Sequence, residues 1–158
     1  MKKDWTSFKS IEGSLLWIYA NQLGVYQSIE DISLICMEPI LKIRRPDSSE
    51  TIYWRINWKE TDLGDDILLL KEQDTPEPLD YESVDWLEEK HTIMSSSFFL
   101  EQNNIKRVSG YGFKENGSEF LSAIILEMDD RFISIEAGPV ITIKVTTTLL
   151  SDLGDLLF

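Results

Sequence analysis

Cysteine and histidine each occur once in the 158 residues, as Cys36 and His91. A lone cysteine excludes an intramolecular disulfide and a thiolate-rich zinc site. A lone histidine leaves any catalytic triad or multi-histidine metal site resting on one side chain. No Gly-x-Ser-x-Gly elbow surrounds the nearby Ser95, Ser96 and Ser97. Long hydrophobic runs are also missing: the longest are 15–20 and 67–70, too short for a signal core or a membrane span. Bases are scarce, with 15 Lys and Arg against 28 Asp and Glu, a net charge of −13 and a pI near 4.4. Nucleic-acid backbones and anionic membranes would be repelled, whereas a basic protein or a cationic ligand would be attracted. The single cysteine fits a reducing cytoplasm.

The acids are unevenly placed. Residues 60–89 hold twelve of them against one base, Lys71, so thirty residues carry −11 of the total −13. Trp58 and Trp86 lie beside or within this stretch, and large aromatic side chains are suited to anchoring a partner.

Length and composition predict one domain with a sufficient core, 42% of residues being hydrophobic. Alternation over 51–58 puts Ile52, Trp54, Ile56 and Trp58 on one face of a strand, and Thr51, Tyr53, Arg55 and Asn57 on the other. Strands are also predicted at 32–37 and 40–44, broken at Glu38-Pro39, and at 93–100, 105–113, 120–127, 131–136 and 140–148. Asn116-Gly117 is a strong two-residue hairpin signal. Residues 31–45 align with 131–145 at a shift of 100, Ile35, Pro39 and Ile43 matching Ile135, Pro139 and Ile143. The alignment suggests one β-hairpin used twice, although two proline-turned hairpins can also look alike by chance. Short helices are predicted at 79–90, entered from Pro76-Glu77-Pro78, and at 149–157. The expected fold is a mostly β, α+β domain, an antiparallel meander or sandwich-like arrangement with one or two short helices. Residues 60–89 would be an insertion or a connection between two β-rich parts.

Individual candidates for chemistry are thin. Asp62, Asp65 and Asp66 are close enough to share a hard cation, but their spacing matches no calcium loop, and a solvated β-turn separating two strands explains the same residues. Glu72, Asp74, Glu77 and Asp80 offer carboxylates for acid and base chemistry without selecting a pair. Gly110-Tyr111-Gly112 lacks the third glycine, lysine and helix of a phosphate loop and reads as a strand bend or bulge. Lys42, Arg44 and Arg45 form the compact basic group, placed to balance neighbouring acids. Cys36 lies in an apolar strand pattern that marks an inert buried thiol.

The stretches Val108-Ser109-Gly110-Tyr111-Gly112, Ser122-Ala123-Ile124-Ile125-Leu126-Glu127 and Arg131-Phe132-Ile133-Ser134-Ile135-Glu136 resemble small uncharacterised bacterial cytosolic proteins, some of which neutralise toxins in polymorphic toxin systems. The resemblance covers the C-terminal third. It implies a cytosolic, non-catalytic inhibitor that covers a basic toxin surface with its acids.

These readings combine into a non-catalytic acidic domain, without metal or cofactor, that binds a basic protein. Asp62, Asp65, Asp66, Asp74, Glu77, Asp80, Glu82 and Asp85 would supply the field, and Trp58 or Trp86 the anchor. The alternative is a small ligand-binding or enzymatic domain with a carboxylate-lined pocket. Such a pocket needs acids converging from distant segments, whereas an interface needs one exposed face.

Overall fold

A computed structural model describes residues 5–47, 49–86, 89–94, 96–101 and 103–158, with side chains described for all of these except 6 and 81–94. One turn of helix, α1 (Trp5–Phe8), precedes strands β1 (Gly13–Ala20), β2 (Gly24–Gln27), β3 (Ile32–Cys36), β4 (Ile40–Arg44), β5 (Thr51–Glu60) and β6 (Asp66–Gln73). Then follow β7 (Tyr81–Trp86), β8 (Glu89–Met94), β9 (Ser96–Phe98), β10 (Asn104–Glu115), β11 (Ser118–Met128), β12 (Phe132–Glu136), β13 (Ile141–Thr146) and β14 (Asp155–Leu156).

Among the described residues, twelve strands form one open antiparallel sheet with the path β2-β3-β13-β12-β11-β10-β1-β4-β5-β6, while β7 and β8 pair separately. β9 flanks the second half of β1, and β14 flanks β10. The sheet folds back on itself. β6, the last strand of the path, packs against β11, and Leu68 and Leu70 of β6 join one buried cluster with Ile124 and Leu126 of β11 and Leu34 of β3. Apolar positions at period two explain the cluster, because they place one face of each strand inward.

β5 follows its sequence pattern. Ile52, Trp54 and Ile56 are buried in the main cluster and Trp58 packs partly buried against it. Its other face is covered as well: Tyr53 is buried with Tyr19, Ile40 and Leu79 in a second, smaller cluster. Asn116 and Gly117 both take positive φ, 49° and 79°, and join Glu115 to Ser118 in a two-residue turn between β10 and β11. A register shift between Tyr111 and Gly112 marks the bulge expected there.

Three expectations need correction. Among the described residues of 79–90 the expected helix is replaced by strand: β7 pairs with β8 from Tyr81↔Met94 to Trp86↔Glu89. Tyr81, Val84, Trp86, Thr92 and Ile93 favour a pleated ladder, which outweighs the weak helical spacing. The expected helix at 149–157 is absent too, because Asp152 and Gly154 take φ of 61° and 107°, and Asp155–Leu156 pairs with Gly112 and Tyr111. The fold is therefore nearly all β, and the one helix among the described residues, α1, lies where none was expected. Third, β3 and β4 do not make the hairpin that β12 and β13 make. β3 is flanked by β2 and β13, and β4 by β1 and β5. Met37-Glu38-Pro39 thus carries the chain between two parts of the sheet, and the alignment with 131–145 records two similarly buried strand-bend-strand stretches. For the same reason the N-terminal third is not a simple meander.

Trp5 stacks on Phe158 with ring centroids 5.2 Å apart. The C-terminal residues are tied to β10, where Gly110 N–H donates to the Phe158 carbonyl and Leu157 N–H to the Gly110 carbonyl.

Candidate functional site

The acidic stretch begins where β5 turns into β6. Thr61 organises that turn: its N–H donates to the Asp65 carbonyl at 2.8 Å, and its hydroxyl accepts from Asp65 N–H at 3.1 Å. Asp62 and Asp65 are exposed there, Asp66 is half-buried, and Leu63 projects at the tip. Trp58, which pairs with Leu68 two ladder steps before the turn's closing pair Glu60↔Asp66, belongs to this end.

β6 then carries the chain away. Between Asp66 and the loop after Gln73 lie seven strand steps, about 23 Å at roughly 3.3 Å each. The loop at 74–80 is held from within, because the Gln73 amide donates to the carbonyls of Thr75 and Glu77. It is also held from outside, by a bond from Asp80 N–H to Asn21 Oδ1 at 3.0 Å and by the burial of Leu79 in the smaller cluster. Asp74, Glu77 and Asp80 stand exposed on this framework.

The ten residues expected to form one partner face therefore separate. Trp58, Asp62, Asp65 and Asp66 gather at one end of the β5–β6 hairpin, and Asp74, Glu77 and Asp80 at the other. Glu82, Asp85 and Trp86 lie on β7, and their side chains are outside the described residues. Linear charge density was a sound guide to the amount of acid but not to its grouping, because an extended strand moves successive residues apart at the greatest possible rate.

Two clefts adjoin these acids. One, of about 400 Å³, lies beside the 74–80 loop and is lined by Asn21, Gln22, Met37, Glu38, Leu79 and Asp80. In it Glu38 Oε1 accepts from Arg55 Nη2 at 2.7 Å and from Asn57 Nδ2 at 2.8 Å. The other, of about 710 Å³, lies between α1 and the β4–β5 turn, with Glu12, Arg45, Asp47, Trp54 and Glu72 among its walls. Arg45 bridges Glu50 and Glu72 at 3.6 and 3.5 Å, the acid-balancing role expected of the basic group. Nothing linear links Glu12, Asp47 and Glu72; the successive pairing of β1, β4, β5 and β6 brings them to one cleft.

Nucleophile chemistry finds no support at Cys36. The thiol is buried, with the Ile141 carbonyl at 4.0 Å, and burial pushes its pKa up to about 12. Burial, then the neighbouring Tyr53, also raises the Tyr19 phenol. His91 lies on β8, and its side chain lies outside the described residues. Among the described residues, no group of three His, Cys, Asp or Glu side chains is arranged to hold a metal ion, and no helix is long and apolar enough to cross a membrane.

No protein-family model matches the chain, and no curated protein or solved structure matches it either.

Proposed function

We propose that the chain is a non-catalytic acidic binding protein of the cytoplasm that captures a basic protein, in the manner of an immunity-type inhibitor. The observation that carries this reading is the 74–80 loop. Asp74, Glu77 and Asp80 are exposed yet held by Gln73, Asn21 and Leu79, so little ordering entropy opposes binding there. The adjoining cleft has Met37 and Leu79 for the aliphatic stem of a lysine or arginine, and Asp80 for its charge. Glu82, Asp85 and Trp86 follow directly in sequence on β7 and would extend the contact. Asp62, Asp65 and Asp66 gather at the other end of the hairpin and would act through the long-range field, speeding encounter, whereas Trp58 is uncharged, packs against the core and adds nothing to that field.

The test is capture of a native basic protein by three forms of the chain. Asp74→Asn, Glu77→Gln and Asp80→Asn together are expected to abolish capture, whereas Asp62→Asn, Asp65→Asn and Asp66→Asn together only slow it. Equal capture by all three forms contradicts the reading.

A second reading is favoured by one observation: Glu12, Asp47 and Glu72 line the larger cleft from three distant segments, with Arg45 bridged to Glu72 leaving a net negative wall. That convergence suits a small cationic ligand. Titration calorimetry with a polyamine tests it, and Glu72→Gln should weaken any binding seen.

A further inference from the structure

β2 is the outermost strand at one end of the sheet and pairs only with β3 among the described residues. Ser28 N–H donates to the Asp31 carbonyl at 2.8 Å, which makes 28 and 31 a hydrogen-bonded pair. Two steps on, Tyr26↔Ser33 and Gly24↔Ile35 are pairs of the same kind. Val25 and Gln27 therefore turn their N–H and carbonyl groups away from β3. Two donors and two acceptors line the edge.

Charge, proline and bulges, which keep sheet edges from joining, are missing here, and shortness, at four residues, is the one such device that β2 retains. Residues 21–29 contain no Lys, Arg, Asp, Glu or Pro, and no register shift interrupts β2 against β3. The opposite edge, β6, carries Asp66, Lys71 and Glu72. Apolar side chains also collect at β2: Val25 is 53% exposed, Tyr26 63% and Met37 62%, and Ile29 is fully exposed. Val25 pairs with the buried Leu34, so it lies on the core face of the sheet where that face reaches solvent.

We propose that β2 is a self-association edge, at which a second copy of this chain adds its own β2 antiparallel and continues the sheet across a two-fold axis. The occupant follows from charge and register. An edge with no acid offers nothing to select a basic segment, and it sets no acid against acid within the ladder when two copies meet. A two-fold axis at Tyr26 places Val25 opposite Gln27 of the copy, so all four outward groups of each edge pair in an isologous ladder. The contact is small, so the dimer is weak and reversible. The net charge of −13 on each copy opposes association, so salt strengthens the dimer by screening. Capture of a basic protein has the opposite salt dependence, and either result can fail alone.

Sedimentation equilibrium on the full chain tests this from about 10 μM to about 1 mM, a range suited to so small an interface. The mass is expected to rise from 18.3 kDa toward that of two chains, further at high salt. Gln27→Pro removes an outward N–H, and Val25→Lys adds an edge charge. Each should raise the dimer dissociation constant at least about tenfold, while Leu69→Lys on β6 should not. Hydrogen exchange of the parent chain supplies a readout independent of variants: the amides of Val25 and Gln27 should gain protection with concentration. A single-chain mass throughout, a dimer indifferent to both β2 variants, or unchanged exchange at Val25 and Gln27 would overturn the proposal.

Discussion

Trp54 offers the sharpest test of the core. It is 1% exposed, meets Phe8 edge-on with centroids 5.0 Å apart, and its buried indole Nε1 has no hydrogen-bond partner among the described residues. Two substitutions separate its packing from its polarity. Trp54→Ala deletes the whole ring, and such deletions cost about 3 to 5 kcal/mol through lost transfer energy and a residual cavity. Part of that loss is offset, because an unpaired buried donor itself costs about 1 to 3 kcal/mol and disappears with the ring. The expected net loss for Trp54→Ala is therefore about 2 kcal/mol. Trp54→Phe keeps most of the ring and also removes the unpaired N–H, so its two effects nearly cancel at about 0 to 1 kcal/mol. Urea unfolding followed by circular dichroism measures both. Less than about 1 kcal/mol for Trp54→Ala would mean the ring is not core. More than about 3 kcal/mol for Trp54→Phe would mean the indole N–H has a partner, refuting the reasoning.

A Cβ on Gly110 would lie 2.1 Å from the Phe158 ring, so Gly110→Ala should expel Phe158 from its place against Trp5, costing about 1 to 3 kcal/mol; melting temperature and carboxypeptidase sensitivity both report it. Cys36 should ignore an aromatic disulfide reagent at pH 8 in the folded protein and react on denaturation, and fast labelling of the native chain would refute its burial. Because burial raises that thiol from 9.0 to about 12, its share of stability is complete below pH 9 and is lost as pH rises toward 12, the unfolded chain releasing its proton first. Unfolding titrations across that range should show stability falling, with Tyr19 adding to the decline above pH 10. Glu38→Ala should cost about 1 to 3 kcal/mol by leaving Arg55 and Asn57 without their shared acceptor, whereas Asp62→Ala at an exposed turn should cost less than about 0.5 kcal/mol.

Much of the sheet was legible from the sequence because its strongest local signals are short-range: alternation over 51–58, the Asn116-Gly117 turn and the bulge at Gly112 are all decided by residues within a few positions. β1 and β2 were missed for physical reasons. Leu15-Leu16-Trp17-Ile18-Tyr19-Ala20 is continuously apolar because both sides of β1 are covered, so no alternation survives. Gly24–Gln27 is a four-residue edge with few β signals. The helix expected at 79–90 shows the limit of periodicity in short segments, where strand pairing at Tyr81↔Met94 decides the outcome. The candidate site was half legible. The sequence located the acids of 60–89, but the split between Asp62, Asp65 and Asp66 on one side and Asp74, Glu77 and Asp80 on the other requires knowing that β6 is extended. Glu38 and Asn21 reach the second group only through tertiary contact.

If a basic protein docks on the 74–80 end of the acidic surface, hydrogen exchange on the complex registers that contact most directly. With a captured basic protein bound, protection is expected to rise over 74–86 and at Met37 and Glu38, and to fade as salt is added. Protection confined to 61–66, or to the cleft at Glu12, Asp47 and Glu72, would contradict docking at the 74–80 loop.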